Sequence, residues 1–284
     1  MMRPGTAKFY GGKGCPEAAS KPARDIAQTL FLSGDAMHGR GVAHLGGPSV
    51  TTDPAPRGRR GQSHARTWWI AGLFMIGSSL FGLGAVPYYS EAVGLRIGAL
   101  TFFVGSLFFT SAAFLVYREA VDALPAPAGS RRHTFWVWAP RNLGWLGCAV
   151  QLAGTLWFNW STGNALRTNL SAAVTDQRVW RPDALGSIAF LVASGLALME
   201  ARRGVVAGRP KARTWKSCVA NMVGSVAFGV SAVASYVVPA TGNVWNAELT
   251  NLGTFVGAVC FFIGAILLLP PETATAPVPA DRAS

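Results

Sequence analysis

Six long stretches without a charged side chain constrain this chain more than any other feature of its sequence. About 20 apolar residues cross a hydrocarbon core of ~30 Å as a helix, whereas buried helices of soluble proteins are usually shorter, at about 10–14 residues. The sequence therefore predicts an all-α membrane protein with six transmembrane helices: Thr67–Tyr88, Ile97–Tyr117, Asn142–Leu166, Ala184–Met199, Ser217–Val238 and Leu249–Leu269. The fourth stretch is short, so we expect either Trp180–Asp183 to enter the membrane interface or the bilayer to thin there.

The distribution of charge favours a lipid partner. Only 13% of the residues are charged, yet the net charge is +12. Lys and Arg cluster in the N-terminal tail and in certain short loops, a pattern typical of contact with anionic lipid headgroups on the cytoplasmic side. This pattern predicts the lipid bilayer and anionic headgroups as partners, and it argues against nucleic acid.

Three regions follow from the composition. Residues 1–65 are basic and rich in Gly, Pro and Ala without a helical or strand period, which predicts a disordered tail. Translation starting at Met37 would be equally compatible with that stretch. Residues 66–270 form the predicted transmembrane domain, and residues 271–284 a disordered C-terminal tail.

The loops alternate in their content of Lys and Arg. The tail before the first stretch and the second and fourth loops carry fourteen of them near the stretches, against four in the other loops. Positive charge is retained on the cytoplasmic side, so we expect a multi-pass protein of the plasma (inner) membrane with both termini in the cytoplasm.

An internal repeat accompanies this topology. Odd-numbered stretches share the motif W-x8-G-[ST]-x-x-F, and even-numbered stretches share G-x3-F-[FL]-[VI]-[GA]-[SA]. The odd copies begin at Trp68, Trp145 and Trp215, and the even copies at Gly98, Gly186 and Gly257. The pattern predicts three parallel helical hairpins at residues 66–117, 141–200 and 213–269, and places the three Trp side chains at the cytoplasmic interface as anchors.

Small residues at regular helical spacing predict close helix packing, because a missing side chain lets a neighbouring backbone approach. The predicted packing positions are Gly77, Gly105, Gly154, Gly224, Gly253 and Gly257. A permeation path lined by small residues is the alternative. Val237 is expected to face lipid.

Amides are the deep polar side chains in this sequence. Gln151 and Asn221 each lie three residues before a motif glycine, while Asn159 and Asn251 lie nearer the outer side. Interhelical hydrogen bonds are the simplest interpretation, and a polar intramembrane site for a substrate is the alternative. No motif for a catalytic, metal or cofactor site is found, which predicts a non-enzyme without a cofactor.

The segments Ile76-Gly-Ser-Ser-Leu-Phe81 and Thr101-Phe-Phe-Val-Gly-Ser-Leu-Phe-Phe109 resemble the paired helices of YrhK-like membrane domains. Gln151 and Ala193 depart from that pattern in the third and fourth stretches. The family has no assigned activity or cofactor, so the resemblance implies a fold and a location only. Two functions stay open: a structural or interaction protein of the membrane, and a small-solute transporter or channel with a path between the hairpins.

Overall fold

The structure is a computed structural model that describes residues 57–124, 137–167, 169–206 and 212–269. The predicted disorder of residues 1–56 and 271–284 lies outside this part of the chain. The first helix begins at Arg57, so residues 57–65, assigned to the tail from the sequence, are helical.

Helices make up nearly all of the described chain. Their bounds are α1 Arg57–Gly84, α2 Pro87–Val93, α3 Leu95–Asp122, α4 Leu143–Ala165, α5 Ala172–Thr175, a π-helical turn Asp176–Trp180, α6 Arg181–Val206, α7 Ala212–Ala234 and α8 Ala247–Leu268. An isolated antiparallel bridge joins Val237 and Val244 between α7 and α8.

Local sequence signals set several of the helix ends. The side chains of Asn142 and Asn246 accept hydrogen bonds from the backbone N–H of Trp145 (3.0 Å) and Leu249 (2.9 Å), which caps α4 and α8. Pro87 lies at the start of α2, where a missing N–H costs nothing. Gly94 ends α2 with a φ of 83°, a conformation that glycine adopts without strain.

The six long helices of the described chain form a closed ring. Helix α1 packs on α3, α4 on α6, and α7 on α8, so consecutive long helices form three pairs. The pairs join through α3 and α4 and through α6 and α7, and α8 closes the ring against α1. Each long helix therefore packs against two neighbouring long helices, and the face between these two contacts is directed toward the ring axis.

Five helical segments are long and apolar enough to cross a membrane, as in a multi-pass membrane protein: Ala65–Gly84, Leu95–Asp122, Ala172–Gly204, Ala212–Ala234 and Ala247–Leu268. The fourth predicted stretch is not short, because its helix continues from the π-helical turn through α6. Helix α4 is not among the five, since Gln151, Asn159 and Asn164 lower its hydropathy.

Large aliphatic side chains lie on the outside of the ring and small or aromatic ones lie inside. Ile76, Leu107, Ile188, Val226 and Ile263 are exposed, whereas many Ala, Ser and Phe side chains are buried. Burial of large aliphatic residues normally stabilises a soluble protein. The reverse distribution provides an apolar outer surface that suits contact with a lipid bilayer.

Candidate functional site in the bundle interior

Six phenylalanine rings fill the middle of the ring of helices. Phe81, Phe158 and Phe228, from α1, α4 and α7, contact one another with ring centroids 5.8–6.5 Å apart. These three helices are not neighbours in the ring, so their side chains meet at its axis. We call these three rings, together with those of the next paragraph, the phenylalanine prism.

The second layer of the prism comes from α3, α6 and α8. Phe109, Phe190 and Phe261 contact one another at 5.6–6.4 Å. Each ring also contacts the first-layer ring of its own helix pair, at 5.2–5.5 Å. Most of these contacts are edge-to-face, the geometry that the ring quadrupole favours. The prism therefore occupies the axis as a close-packed aromatic centre.

Glycines allow each pair of helices to approach closely beside the prism. A Cβ atom on Gly77 would lie 3.1 Å from the carbonyl oxygen of Gly105 and 2.8 Å from the Phe109 ring. A Cβ atom on Gly154 would lie 3.2 Å from the carbonyl oxygen of Gly186, and one on Gly224 would lie 3.1 Å from the carbonyl oxygen of Gly257. The three pairs thus cross through equivalent glycine contacts.

The remaining predicted packing glycines also face a neighbouring helix. A Cβ on Gly253 would lie 2.8 Å from the carbonyl oxygen of Ala227, and one on Gly257 would overlap the Phe228 ring. A Cβ on Gly105 would lie 3.0 Å from the Phe81 ring. All six predicted positions are therefore places where another helix leaves little room for a side chain.

The even motif was assigned to the wrong residues in its first copy. Gly98 has only the Ser90 side chain near its Cβ position, at 3.8 Å, and Phe102 is not in the prism. The residues equivalent to Gly186 and Phe190 are Gly105 and Phe109. Gly98 and Gly105 are two helical turns apart and lie on one face, so the spacing of the motif could not separate them.

Two of the four predicted polar residues are buried in the bundle. Gln151 and Asn221 each lie seven residues before a prism phenylalanine, and they are 5% and 4% exposed. Asn159 follows Phe158 directly, and Asn251 lies in the first turns of α8; both are only partly buried. The structure therefore divides the predicted site and leaves Gln151 and Asn221 as its buried part.

The expected interhelical hydrogen bond of Asn221 is not formed. Its side-chain nitrogen Nδ2 is buried and has no hydrogen-bond partner in the described structure. Its amide lies against Gly264 of α8, where a Cβ atom would be 2.9 Å from Oδ1. The equivalent residues in the other two pairs are Ala112 and Ala193, so the glycine makes room for the amide.

Hydroxyl groups connect the pairs of helices instead. Ser106 and Thr162 join α3 to α4 with a 3.0 Å hydrogen bond between their hydroxyls, and Ser194 and Ser225 join α6 to α7 at 2.8 Å. The indole of Trp180, from the π-helical turn, donates to the carbonyl oxygen of Ala232 (2.8 Å). Ser106 and Ser225 directly follow the packing glycines Gly105 and Gly224, so this motif position forms an interhelical hydrogen bond in two of its copies.

Two further sequence predictions are wrong. Trp145 is 4% exposed and packs against Tyr117 and Trp138, so it is a core residue and not an interfacial anchor. Val237 is 6% exposed in the turn after α7, so it does not face lipid. In contrast, the side chains of Trp68 and Trp215 are exposed.

Two carboxyl groups lie at equivalent positions at one end of the ring, an equivalence that was not recognised from the sequence. Glu119 lies ten residues after Phe109, and Glu200 lies ten residues after Phe190, both partly buried. Their equivalence becomes visible once Phe109 replaces Phe102 in the motif. At the same end, the guanidinium of Arg213 donates to the carbonyl oxygens of Ile266 and Leu267 at the end of α8.

Cysteines and metal ligands do not form a site in the described residues. Cys148 and Cys218 are buried thiols at equivalent positions, ten residues before Phe158 and Phe228, and Cys260 is partly buried. The three are not joined as disulfides. Over the ranges that the structure describes, no group of His, Cys, Asp and Glu is arranged to hold a metal ion.

Comparison with known proteins yields no family model, no curated protein and no solved structure that matches the chain. The resemblance to YrhK-like membrane domains stays a prediction.

Proposed function

We propose that the protein is a non-enzymatic structural or interaction protein of the membrane, with six membrane-spanning helices arranged as three repeated hairpins. The phenylalanine prism is the observation that carries this proposal. Its two layers of rings meet at the axis, where a channel would need an open polar path. A bundle that is closed at its centre is better suited to act as a scaffold, or to bind a partner at its side, than to conduct solutes.

The equivalent contacts in the three pairs support the repeat. Each pair has a glycine crossing, a first-layer phenylalanine and a second-layer phenylalanine in the same order. Helix α4 takes the same place in the ring as α1 and α7. We therefore include it as a sixth spanning helix, although its amides make it the least apolar of the six.

Flux through reconstituted protein tests the closed bundle. We expect vesicles that contain the full chain to release small ions and neutral solutes no faster than protein-free vesicles, because the prism blocks the axis. Vesicles with an equal amount of Phe255→Ala protein serve as a control, since that ring is 42% exposed on the outer surface. Saturable or selective flux through the wild-type protein would contradict the proposal and favour the transporter or channel.

The proposed location is the plasma membrane, with both termini and the more basic loops in the cytoplasm, beside anionic headgroups. Single cysteines at positions 130, 177, 208 and 243, in a chain without its native cysteines, test this topology. We expect an impermeant maleimide to label positions 177 and 243 on intact cells and to leave 130 and 208 unlabelled. Labelling at 130 or 208, or protection at both 177 and 243, would refute the orientation.

A further inference from the structure

An equivalent contact recurs in the hairpin pairs on the side of the prism where α1, α4 and α7 end. It joins the residue three positions after the first-layer phenylalanine to the residue seven positions before the second-layer phenylalanine. In the first pair, a Cβ atom on Gly84 would lie 2.8 Å from the Phe102 ring. In the third pair, the hydroxyls of Ser231 and Thr254 are 2.8 Å apart. These two positions of the repeat therefore face each other.

The second pair has a carboxyl group at this contact. Its corresponding residues are Ser161, which is 3% exposed, and Asp183, which is partly buried. A neighbouring hydrogen bond supports the correspondence: Ser161 Oγ donates to the carbonyl oxygen of Val179 at 2.8 Å. In the third pair, Ser231 Oγ donates to the equivalent carbonyl oxygen, that of Thr250, at 2.8 Å. The two serines thus point the same way, which places the Asp183 carboxyl where the third pair has a threonine hydroxyl.

A hydrogen bond at this contact needs a proton from the second helix of the pair. In the third pair, Ser231 gives its only proton to a carbonyl, so the hydroxyl of Thr254 donates to Ser231 Oγ. In the second pair, Ser161 also gives its proton to a carbonyl. An ionised Asp183 could only accept, and its oxygens would face the lone pairs of Ser161 Oγ. A protonated carboxyl can donate there, as threonine does.

The surroundings of Asp183 offer little support for a negative charge. Helix α6 packs against α4 and α7, whose nearby segments, residues 158–165 and 228–234, contain no ionisable side chain. In the preceding turn, Arg181 pairs with Asp176 at 2.8 Å, and Arg178 is exposed. A partly buried carboxylate without a nearby cation is disfavoured by desolvation.

Asp183 also lies at membrane depth. It belongs to the apolar segment Ala172–Gly204 and precedes Phe190 by seven residues. That separation is about 10 Å along a helix, whereas half of the hydrocarbon core measures about 15 Å. The helical segment begins about three turns before Asp183, so the dipole at its N-terminus, which acts within the first turn, does not stabilise a charge there. Ionisable residues at such depth commonly have a function.

We propose that Asp183 is a proton-binding site: its carboxyl is protonated at neutral pH and donates a hydrogen bond to Ser161 Oγ across the contact between α4 and α6. Loss of the proton leaves two acceptors facing each other and loosens this end of the second pair. The first and third pairs have Phe102 and Thr254 at this position, which do not titrate. The second pair is therefore the pH-sensitive element of this contact.

The pH dependence of thermal unfolding of the full chain in detergent tests the site. Asp183→Thr installs the side chain of the third pair and removes the titrating group. In the unfolded chain an aspartate ionises near pH 4, while the folded protein keeps the proton, so the folded state binds more protons and the wild type loses stability as the pH rises from about 4 to 7. Relative to the wild type, the midpoint of Asp183→Thr should rise with pH, by about 3–5 °C per pH unit within that window.

Glu248→Gln is the matched control. It removes an exposed carboxyl group from the first turn of α8, so its midpoint should follow the wild-type profile above about pH 5. Identical pH profiles of the wild type and Asp183→Thr would overturn the proposal. So would an Asp183→Thr protein that loses stability relative to the wild type as the pH rises, because the ionised carboxylate would then be the stabilising form.

Infrared spectroscopy keeps the test decisive if Asp183→Thr does not fold. Asp183→Asn nearly preserves the side-chain shape, and its amide can still donate to Ser161. At pH 7 we expect the wild type to show the C=O stretch of a protonated carboxyl group that is missing from Asp183→Asn and retained in Glu248→Gln. A wild-type spectrum at pH 7 without such a band would overturn the proposal. These outcomes are independent of the flux assay, since a bundle can bind a proton without conducting solutes.

Discussion

Replacing Phe228 by alanine is expected to lower the free energy of unfolding by about 3–5 kcal/mol, as large-to-small changes at buried aromatic residues do. The Phe228 ring contacts Phe81 at 5.8 Å, Phe158 at 6.0 Å and Phe261 at 5.3 Å. Removing it leaves a void at the axis that three helix pairs share, and lipid cannot enter to fill it. Thermal or denaturant unfolding in detergent measures the loss.

Phe255→Ala is the matched control for this change. It removes the same ring from the neighbouring helix α8, at a position that is 42% exposed on the outside of the ring. Detergent or lipid takes the place of that ring, so we expect a change of less than about 1 kcal/mol. Equal losses from the two variants would contradict a central role for the prism.

Replacing Gly224 by leucine is expected to lower the stability by about 1–3 kcal/mol, the usual cost of overpacking a closely packed contact. A Cβ atom there would lie 3.1 Å from both the Cys260 side chain and the carbonyl oxygen of Gly257, and 3.3 Å from the Phe261 ring. The backbone of α8 cannot yield as a flexible side chain would, so α7 and α8 must separate. The unfolding midpoint in detergent reports this separation.

Gly72→Leu controls for the general effect of leucine in a helix. Gly72 lies in α1, and nothing comes within 4 Å of its Cβ position. Leucine has a better helix propensity than glycine, so we expect this variant to be as stable as the wild type or slightly more stable. A Gly224→Leu protein with the wild-type midpoint would refute the close-approach interpretation.

The motifs predicted correctly that the glycines contact a neighbouring helix, but they did not always identify which glycine makes that contact. Gly77, Gly154 and Gly224 each meet the second helix of their own pair, as their shared motif suggests. The first even copy was misassigned because Gly98 and Gly105 precede similar residues on one face of α3. The number of residues from each odd glycine to its even partner would have shown the error. That separation is 28 to Gly105 and 21 to Gly98 in the first pair, against 32 and 33 in the other two.

The misplaced Trp145 and Val237 have a different physical cause. Hydropathy and position within a stretch indicate depth, but not the direction in which a side chain points. Trp145 points toward Tyr117 because α3 packs on α4, and Val237 is buried because the chain turns back and pairs with Val244. The burial of Trp145 depends on a residue that is distant in sequence, and the burial of Val237 depends on a turn of the chain.

The pattern of amino acids along the chain is enough to predict long apolar helices and to locate the residues that let those helices approach closely. It could do so because hydrocarbon excludes charge over a defined length, and because a helix places residues three, four and seven apart on one face. Three other features are visible only in the folded bundle: α8 closes a ring against α1, six phenylalanine side chains share one axis, and Asn221 Nδ2 lies unpaired beneath them. Such features result from which helices become neighbours, and that choice depends on packing between distant segments, which the periodicity of one helix does not encode.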